Sequence, residues 1–392
     1  MKHNWEYKQL GEIGVILTGS TPSTSVKEYY DQSDYMFVKP GDIEESGITY
    51  LKASETYISE LAFNTASRKL PKHSVLVTCI GTIGKVGILQ QEATCNQQIN
   101  AIIPAADNIY YKYLAYAISS IKSFLISKKN GPVVPIINKT QFSKFKIPVP
   151  PMVVQEHIVA ELDKINETIE DCRELLCNLD ALAQSLFYDT FGDPITNSKG
   201  WEIKPLKDAV IEMFLGPFGS ALKTDCYVPE EDSFAMVYEQ KHAIKKTLAQ
   251  ENNFINEDKF FALKRFEVLP FDFIMSCRGT IGQLYQVPEN APRGIIHPSV
   301  MKIRLNSSTY GSVFFKFLLP IIIKEQQTKG NCVQMAITAK ELGAKKLPVP
   351  PFSLQEKFAD RIEQIEAQKK VLENTIAELQ TLLDSRMDYW FN

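Results

Sequence analysis

A chain of 392 residues, 44% hydrophobic and 23% charged, is a soluble globular protein of two or three domains, not a disordered or fibrous one. Its net charge of −3 is unevenly spread. Residues 1–150 carry 16 Lys/Arg against 12 Asp/Glu and residues 191–350 carry 20 against 17, whereas residues 151–190 carry 2 against 9 and residues 351–392 carry 5 against 8. Two mildly basic segments, suited to nucleic acid, thus alternate with two acidic ones.

Short β-rich runs separated by glycine and proline turns fill each basic segment: residues 35–39, 74–80 and 100–103 in the first, residues 273–277 and 300–305 in the second. Helical stretches follow near residues 110–127 and 310–327. Each basic segment therefore reads as a compact, mainly β domain with a few helices. The seven cysteines form no CxxC pair, which excludes zinc-ribbon and thioredoxin-like chemistry. Cys172, on an apolar seam, reads as core. No signal-peptide pattern opens the chain, and the longest apolar run, residues 314–323, is broken by Lys316 and Pro320. The expectation is a reduced, cytoplasmic chain without membrane contact.

Lys146-Ile-Pro-Val-Pro-Pro-Met-Val-Val-Gln-Glu156 recurs 200 residues later as Lys346-Leu-Pro-Val-Pro-Pro-Phe-Ser-Leu-Gln-Glu356. Prolines cannot continue inside a helix but suit its start, so Pro151 and Pro351 mark helix beginnings, with Gln155-Glu156 and Gln355-Glu356 placing acid in the first turn. After the first copy, Ile158, Leu162, Ile165, Ile169, Cys172, Leu176, Leu179 and Leu186 follow coiled-coil spacing. After the second, Phe358, Ile362, Ile365, Leu372, Ile376, Leu379 and Leu383 keep nearly the same register, with Lys369 at one seam position. Trp5-Glu-Tyr-Lys-Gln-Leu10 likewise matches Trp201-Glu-Ile-Lys-Pro-Leu206, and Cys79-Ile-Gly-Thr-Ile-Gly84 matches Cys277-Arg-Gly-Thr-Ile-Gly282. The chain is one unit written twice: a globular domain, then a long helix. Two matched seams in one chain pair most simply antiparallel, with the halves related by an approximate two-fold axis.

This layout resembles the specificity subunit of type I restriction-modification systems. So do the Pro148-Val-Pro-Pro151 and Gln155-Glu156 pattern, Phe191-Gly-Asp-Pro194, Thr18-Gly-Ser-Thr-Pro22, Gly81-Thr-Ile-Gly-Lys85 and Asn96-Gln-Gln-Ile-Asn-Ala101. The resemblance covers essentially the whole chain. It implies an α+β fold with an internal pseudo-two-fold repeat: target recognition domains at 1–150 and 191–350, joined by antiparallel coiled-coil helices at 151–190 and 351–392. Each domain would read one half of a split double-stranded DNA target, and the helices would dock two modification (methyltransferase) subunits. It further implies that S-adenosylmethionine, ATP and Mg are bound by those subunits and by the restriction (translocase-nuclease) subunits, with no cofactor, metal or catalysis in this chain.

Enzyme readings of the residues themselves are weaker. Gly81-Thr-Ile-Gly-Lys85 lacks the four residues between glycines and the Ser/Thr after Lys that a Walker A loop needs. Asp193 with Glu202-Ile-Lys204 mimics a nuclease core, but the same Trp-Glu-x-Lys-x-Leu stands at residue 5 without an upstream Asp. No Asn/Asp-Pro-Pro-Tyr tetrapeptide or Gly-x-Gly methyl-donor loop accompanies it. Two rivals stay open: a stand-alone methyltransferase or nuclease with a cryptic site, and a coiled-coil scaffold without a DNA role.

Side chains suited to base edges or phosphates in predicted loops are Thr18, Ser20, Thr21, Lys39, Lys85 and Gln97 in the first half, and Ser220, Lys223, Arg278, Arg293 and His297 in the second. Lys85 reads equally as a solvated charge or a phosphate contact, and His297 also as a buried hydrogen-bonding histidine. Lys241, Lys245 and Lys246 read as backbone-positioning groups. Arg278 stands out, because its repeat mate is Ile80. Ile158, Leu162, Ile165, Ile169, Leu176, Leu179, Phe358, Ile362, Ile365, Leu372, Ile376 and Leu379 form the expected seam for pairing and partner docking.

Overall fold

A computed structural model describes residues 5–105, 109–127, 135–329 and 336–391. Cys332 lies outside them. The chain forms two compact units, residues 1–174 with 373–392 and residues 175–372, and each draws on both long helices.

In the first unit, strand β1 (Glu6–Gln9) pairs antiparallel with β10 (Lys146–Val149). The body is two sheets. One has the order β2-β9-β6-β7-β4, from Gly14–Thr18, Ile99–Pro104, Val75–Thr78, Val86–Leu89 and Ile48–Leu51. The other is β5-β3-β8, from Tyr57–Ile58, Tyr35–Val38 and Ala93–Cys95. Strands β6 and β7, inside the five-stranded sheet, are buried along their whole length, which explains their largely Val, Leu and Ile character.

The second unit repeats this plan. β11 (Glu202–Pro205) pairs with β20 (Lys346–Val349). One sheet runs β12-β19-β16-β17, from Val210–Leu215, Val300–Leu305, Phe273–Ser276 and Leu284–Gln286. The other runs β14-β13-β18-β15, from Asn253–Ile255, Ala235–Tyr238, Gly294–Ile296 and Glu267–Val268. Among the described residues no strand in this unit matches β4; helix Gln240–Lys245 lies against β16 and β17.

The long helices span Met152–Phe191 and Phe352–Phe391, each 40 residues, or about 60 Å. In each unit one helix's start meets the other's end antiparallel. In the first unit Arg386 forks onto Glu161, and Trp390 meets Glu161 and His157. In the second, Phe191 packs on Phe358 while Lys369 reaches Asp180 at 2.8 Å. The charge at the Lys369 seam position is thus paired. Ile158, Leu162, Ile165, Ile169, Phe358, Ile362 and Ile365 are buried, and Leu176, Leu179, Leu372, Ile376 and Leu379 are half-buried. Full burial of one such side chain stabilises by about 1.5–3 kcal/mol.

The Gln of each helix-start motif has a different task from the one its sequence suggests. Gln155 is 1% exposed; its Oε1 accepts from Tyr110 N at 2.9 Å and its Nε2 donates to Pro150 O at 2.8 Å. Gln355, also 1% exposed, accepts from Gly311 N and donates to Thr309 O and Pro350 O. Each amide therefore clamps a domain helix to the start of a rod. In the first unit Asp163 adds a polar junction, accepting from Lys112 Nζ at 2.5 Å and Tyr116 OH at 2.7 Å. Among the described residues no helix is long and apolar enough to cross a membrane.

Candidate nucleic-acid interface

Strand direction decides which loops meet. In the first unit β2 ends at Thr18 opposite Asn100, β6 ends at Thr78 opposite Ile99, and parallel β3 and β8 end together at Val38 and Cys95. The segments 19–22, 39–43, 79–85 and 96–98 therefore leave the sheets at one edge. Backbone bonds tie them: Gly19 N to Ile99 O, Ser20 N to Cys95 O, Asn96 N to Val38 O and Cys79 N to Gln98 O, all 2.8–3.0 Å. Gly19 must be glycine, because a Cβ there would sit 2.1 Å from Asn96 O.

Thr18, Ser20, Thr21, Lys39, Lys85 and Gln97 all lie on this edge, but only Thr21 and Gln97 are exposed, and they are hydrogen-bonded to each other. Thr18 Oγ1 donates to Asn100 Oδ1, and Ser20 Oγ is buried without a partner. Lys39 Nζ binds Thr56 Oγ1 at 2.8 Å. Lys85 is half-buried, and its ammonium donates to Pro40 O at 3.1 Å and Ile43 O at 2.8 Å, bracing the neighbouring loop. Gly81 and Gly84, at φ +76° and +85°, turn the chain between β6 and β7.

The second unit builds the same edge. Gly216 N donates to Val300 O, His297 N to Tyr238 O and Cys277 N to Ser299 O. A Cβ on Gly216 would lie 2.2 Å from His297 O, as at Gly19. Ser220, Lys223 and Arg278 are exposed here. Gln240 Nε2 holds the Arg278 carbonyl at 2.7 Å, leaving the guanidinium outward. His297 is half-buried; its Nδ1 accepts from Ser299 N at 3.1 Å, which places the ring proton on Nε2, and burial lowers its pKa. A neutral imidazole with an N–H donor results. Arg293 does not join them. It precedes β18, so that strand carries it to the opposite end, where its guanidinium lies 5.0 Å from the Phe234 ring. Phe218, 88% exposed in the Gly216 loop, has a polar counterpart in Thr21 and no polar signal of its own.

Burial pushes the Cys79, Cys95 and Cys277 thiols up to about 12, so none is a thiolate near neutrality.

Residues 2–176 match the family model for a type I restriction modification DNA specificity domain. The MjaIX specificity subunit of a Methanocaldococcus jannaschii type I restriction enzyme is 28% identical over 68% of this chain and 63% of its own length. The EcoR124I/EcoR124II specificity subunit of Escherichia coli is 36% identical over 41% of each chain. These matches therefore span about two-fifths to three-fifths of the relatives. The fold is that of the type I restriction-modification S subunit from M. genitalium, at TM-score 0.53 and 14% identity over 99% of this chain and 96% of that one. A chain solved in work on assembly of the type I R-M system scores 0.62 at 17% identity, over 98% and 96%. The duplicated unit, the matched domain and these relatives agree: residues 2–176 are similar to the DNA specificity domains of type I restriction-modification systems, and the chain shares the fold of their S subunits.

Proposed function

We propose that the chain is the non-catalytic reader of a split double-stranded DNA target, one unit per half-site. Its long helices dock modification subunits, two per complex, within an assembly that also takes restriction subunits. Those partners supply methyl transfer with S-adenosylmethionine and cleavage with ATP and Mg, in the cytoplasm. The observation that carries this reading is one loop edge built twice: the backbone bonds at Gly19 and Gly216 coincide, whereas Ile80 and Asn96 in the first edge become Arg278 and His297 in the second. A reader of two different sequences needs a constant frame with exchangeable side chains.

The test is single-molecule methylome sequencing of a host expressing the chain with its modification subunit. A split motif is expected, and Arg278→Ile should relax one base pair of one half only, by about 1–3 kcal/mol of discrimination. Absence of a split motif, or methyl transfer by the purified chain alone, would overturn the reading.

A further inference from the structure

We propose that Phe218 reads DNA directly, its ring seated against the C5-methyl group of a thymine in the half-site of the second unit. This rests on the DNA-reading function proposed above and names a residue and a base for it.

Exposure alone would not single it out: Val153 is 75% and Ile211 65% exposed, and lone surface hydrophobics are ordinary. Position and rigidity do. Pro217 before it is buried, and Leu222 after it is 4% exposed in a core cluster. Between these anchors Phe218 O accepts from Ala221 N at 2.8 Å and Gly219 O from Leu222 N at 3.4 Å. The turn is thus short, doubly tied and pinned at both ends, and the ring is its outermost apolar group. Gly216 holds the base of the turn against His297 O. Ser299, next in that loop, in turn binds Cys277 N, beside Arg278. The aromatic therefore shares its edge with Arg278 and His297.

A major-groove surface offers one apolar feature among its donors and acceptors, the thymine methyl, and phenylalanine is among the side chains that contact it. Insertion between bases would instead require unstacking a step, at a cost of a few kcal/mol. The first unit places Thr21 at this position, hydrogen-bonded to Gln97; the second has Pro298 where Gln97 stands and so offers no such partner. The glycine two residues earlier and its backbone bond are common to both units, and the side chain at this position is polar in one and apolar in the other.

The experiment uses the full chain assembled with its modification subunit and a duplex carrying its mapped target. Each thymine of both half-sites is replaced in turn by deoxyuridine, which removes only the methyl group. Wild type should lose about fourfold in affinity at one thymine, the ratio for one buried methyl group. Phe218→Ala should bind the thymine target about as weakly as wild type binds the deoxyuridine target, and should no longer distinguish the two. Phe218→Leu should retain part of the discrimination. Folding is a minor risk for so exposed a side chain. A Phe218→Ala complex that keeps the wild-type deoxyuridine pattern, whether or not its overall affinity falls, overturns the proposal while leaving DNA reading intact. A complex that methylates no defined motif overturns both.

Discussion

The clearest contrast between the two units lies in one pair of neighbouring strands. In the first unit Val15 faces Ile103 and Leu17 faces Ala101 across β2 and β9. In the second, Glu212 faces Arg304 and Phe214 faces Lys302 across β12 and β19. Ala101 sits in an apolar cluster with Leu51, Leu76 and Leu89. Lys302, only 2% exposed, lies over the Phe214 ring and donates to Glu212 and to Glu267 O. Beside it the buried Asp272 takes a bidentate grip on Arg304, at 2.6 and 2.8 Å, where the first unit has Ser74. The same register holds apolar side chains in one copy and an ionic cluster in the other. Hydrogen-bond register and the rod contacts therefore set the frame, and each copy satisfies its interior locally.

If the frame is common, injuring it should hurt both units alike. Leu162 and Ile362 occupy matched rod positions and are 0% and 5% exposed. Aspartate at either buries an unpaired charge, at a cost of several kcal/mol. Loss of soluble protein and of partner assembly is expected for each variant, measured by yield and sedimentation. A variant that stays monodisperse and still binds its partner would show that the rods are not part of the frame.

Injuring the private interiors should separate the units. Asp272→Ala leaves Arg304 with only Glu212, and the Leu269 amide without its 2.8 Å acceptor. A cost of about 3–5 kcal/mol is expected, as for a buried pair with one partner removed. Ser74→Ala removes one hydrogen bond, to Pro71 O, worth about 1 kcal/mol. Because two units need not unfold together, hydrogen exchange read strand by strand is the right measurement. Deprotection should be large on β16 and β19 for the first variant and slight on β6 and β9 for the second.

How much of this was legible beforehand depends on where each signal is stored. The rods, the duplication and the main strands were, because seam spacing and β-rich runs are local and repeat. The Gln155 and Gln355 clamps were not: the amide N–H groups they accept from belong to Tyr110 and Gly311, distant in sequence. Of the residues chosen by polarity, Thr21, Gln97 and Arg278 lie exposed at the loop edges. That choice misplaced Arg293, because a three-residue strand moves a side chain to the other end of the sheet. It also could not see that Lys85 donates to two carbonyls of its own domain, and the reader proposed above, Phe218, gives a signal of position and not of polarity.

Acid sharpens the contrast through Glu212. Its hydrogen bond from Lys302, with the charges of Lys302 and Arg304, holds its carboxyl below the ordinary Glu value. A carboxylate depressed in the folded state contributes stability above its unfolded pKa of about 4.3 and loses it as pH falls through the lowered folded value. Exchange at β12 and β19 should therefore rise below about pH 4, while β2 and β9, with Val15, Leu17, Ala101 and Ile103, show no matching change from this source. Equal acid sensitivity of both strand pairs would contradict the ionic assignment. Glu212→Gln should flatten the second unit's response.

The smallest expected effect comes from a position that both copies fill with an unfavourable residue. His73 and Phe271 precede β6 and β16 at φ +71° and +68°, and each donates its backbone N–H across the turn, to Leu89 O and Val287 O. A left-handed conformation costs a non-glycine residue roughly 1–2 kcal/mol, against the roughly 0.5–1 kcal/mol of entropy that glycine adds. His73 gains something in return, since its ring stacks on Tyr111 at 4.0 Å. Phe271 is 57% exposed and has no ring partner among the described residues. Phe271→Gly should therefore stabilise the second unit by about 0.5–1 kcal/mol, or roughly 1–4 °C in its melting transition. His73→Gly should be neutral or slightly destabilising, because the stacking it loses is worth about 0.5–1.5 kcal/mol. Calorimetry of the two variants beside wild type decides it. A gain from His73→Gly as large as that from Phe271→Gly would mean that the Tyr111 stack contributes nothing and that the two turns, unlike the strands beside them, are energetically the same.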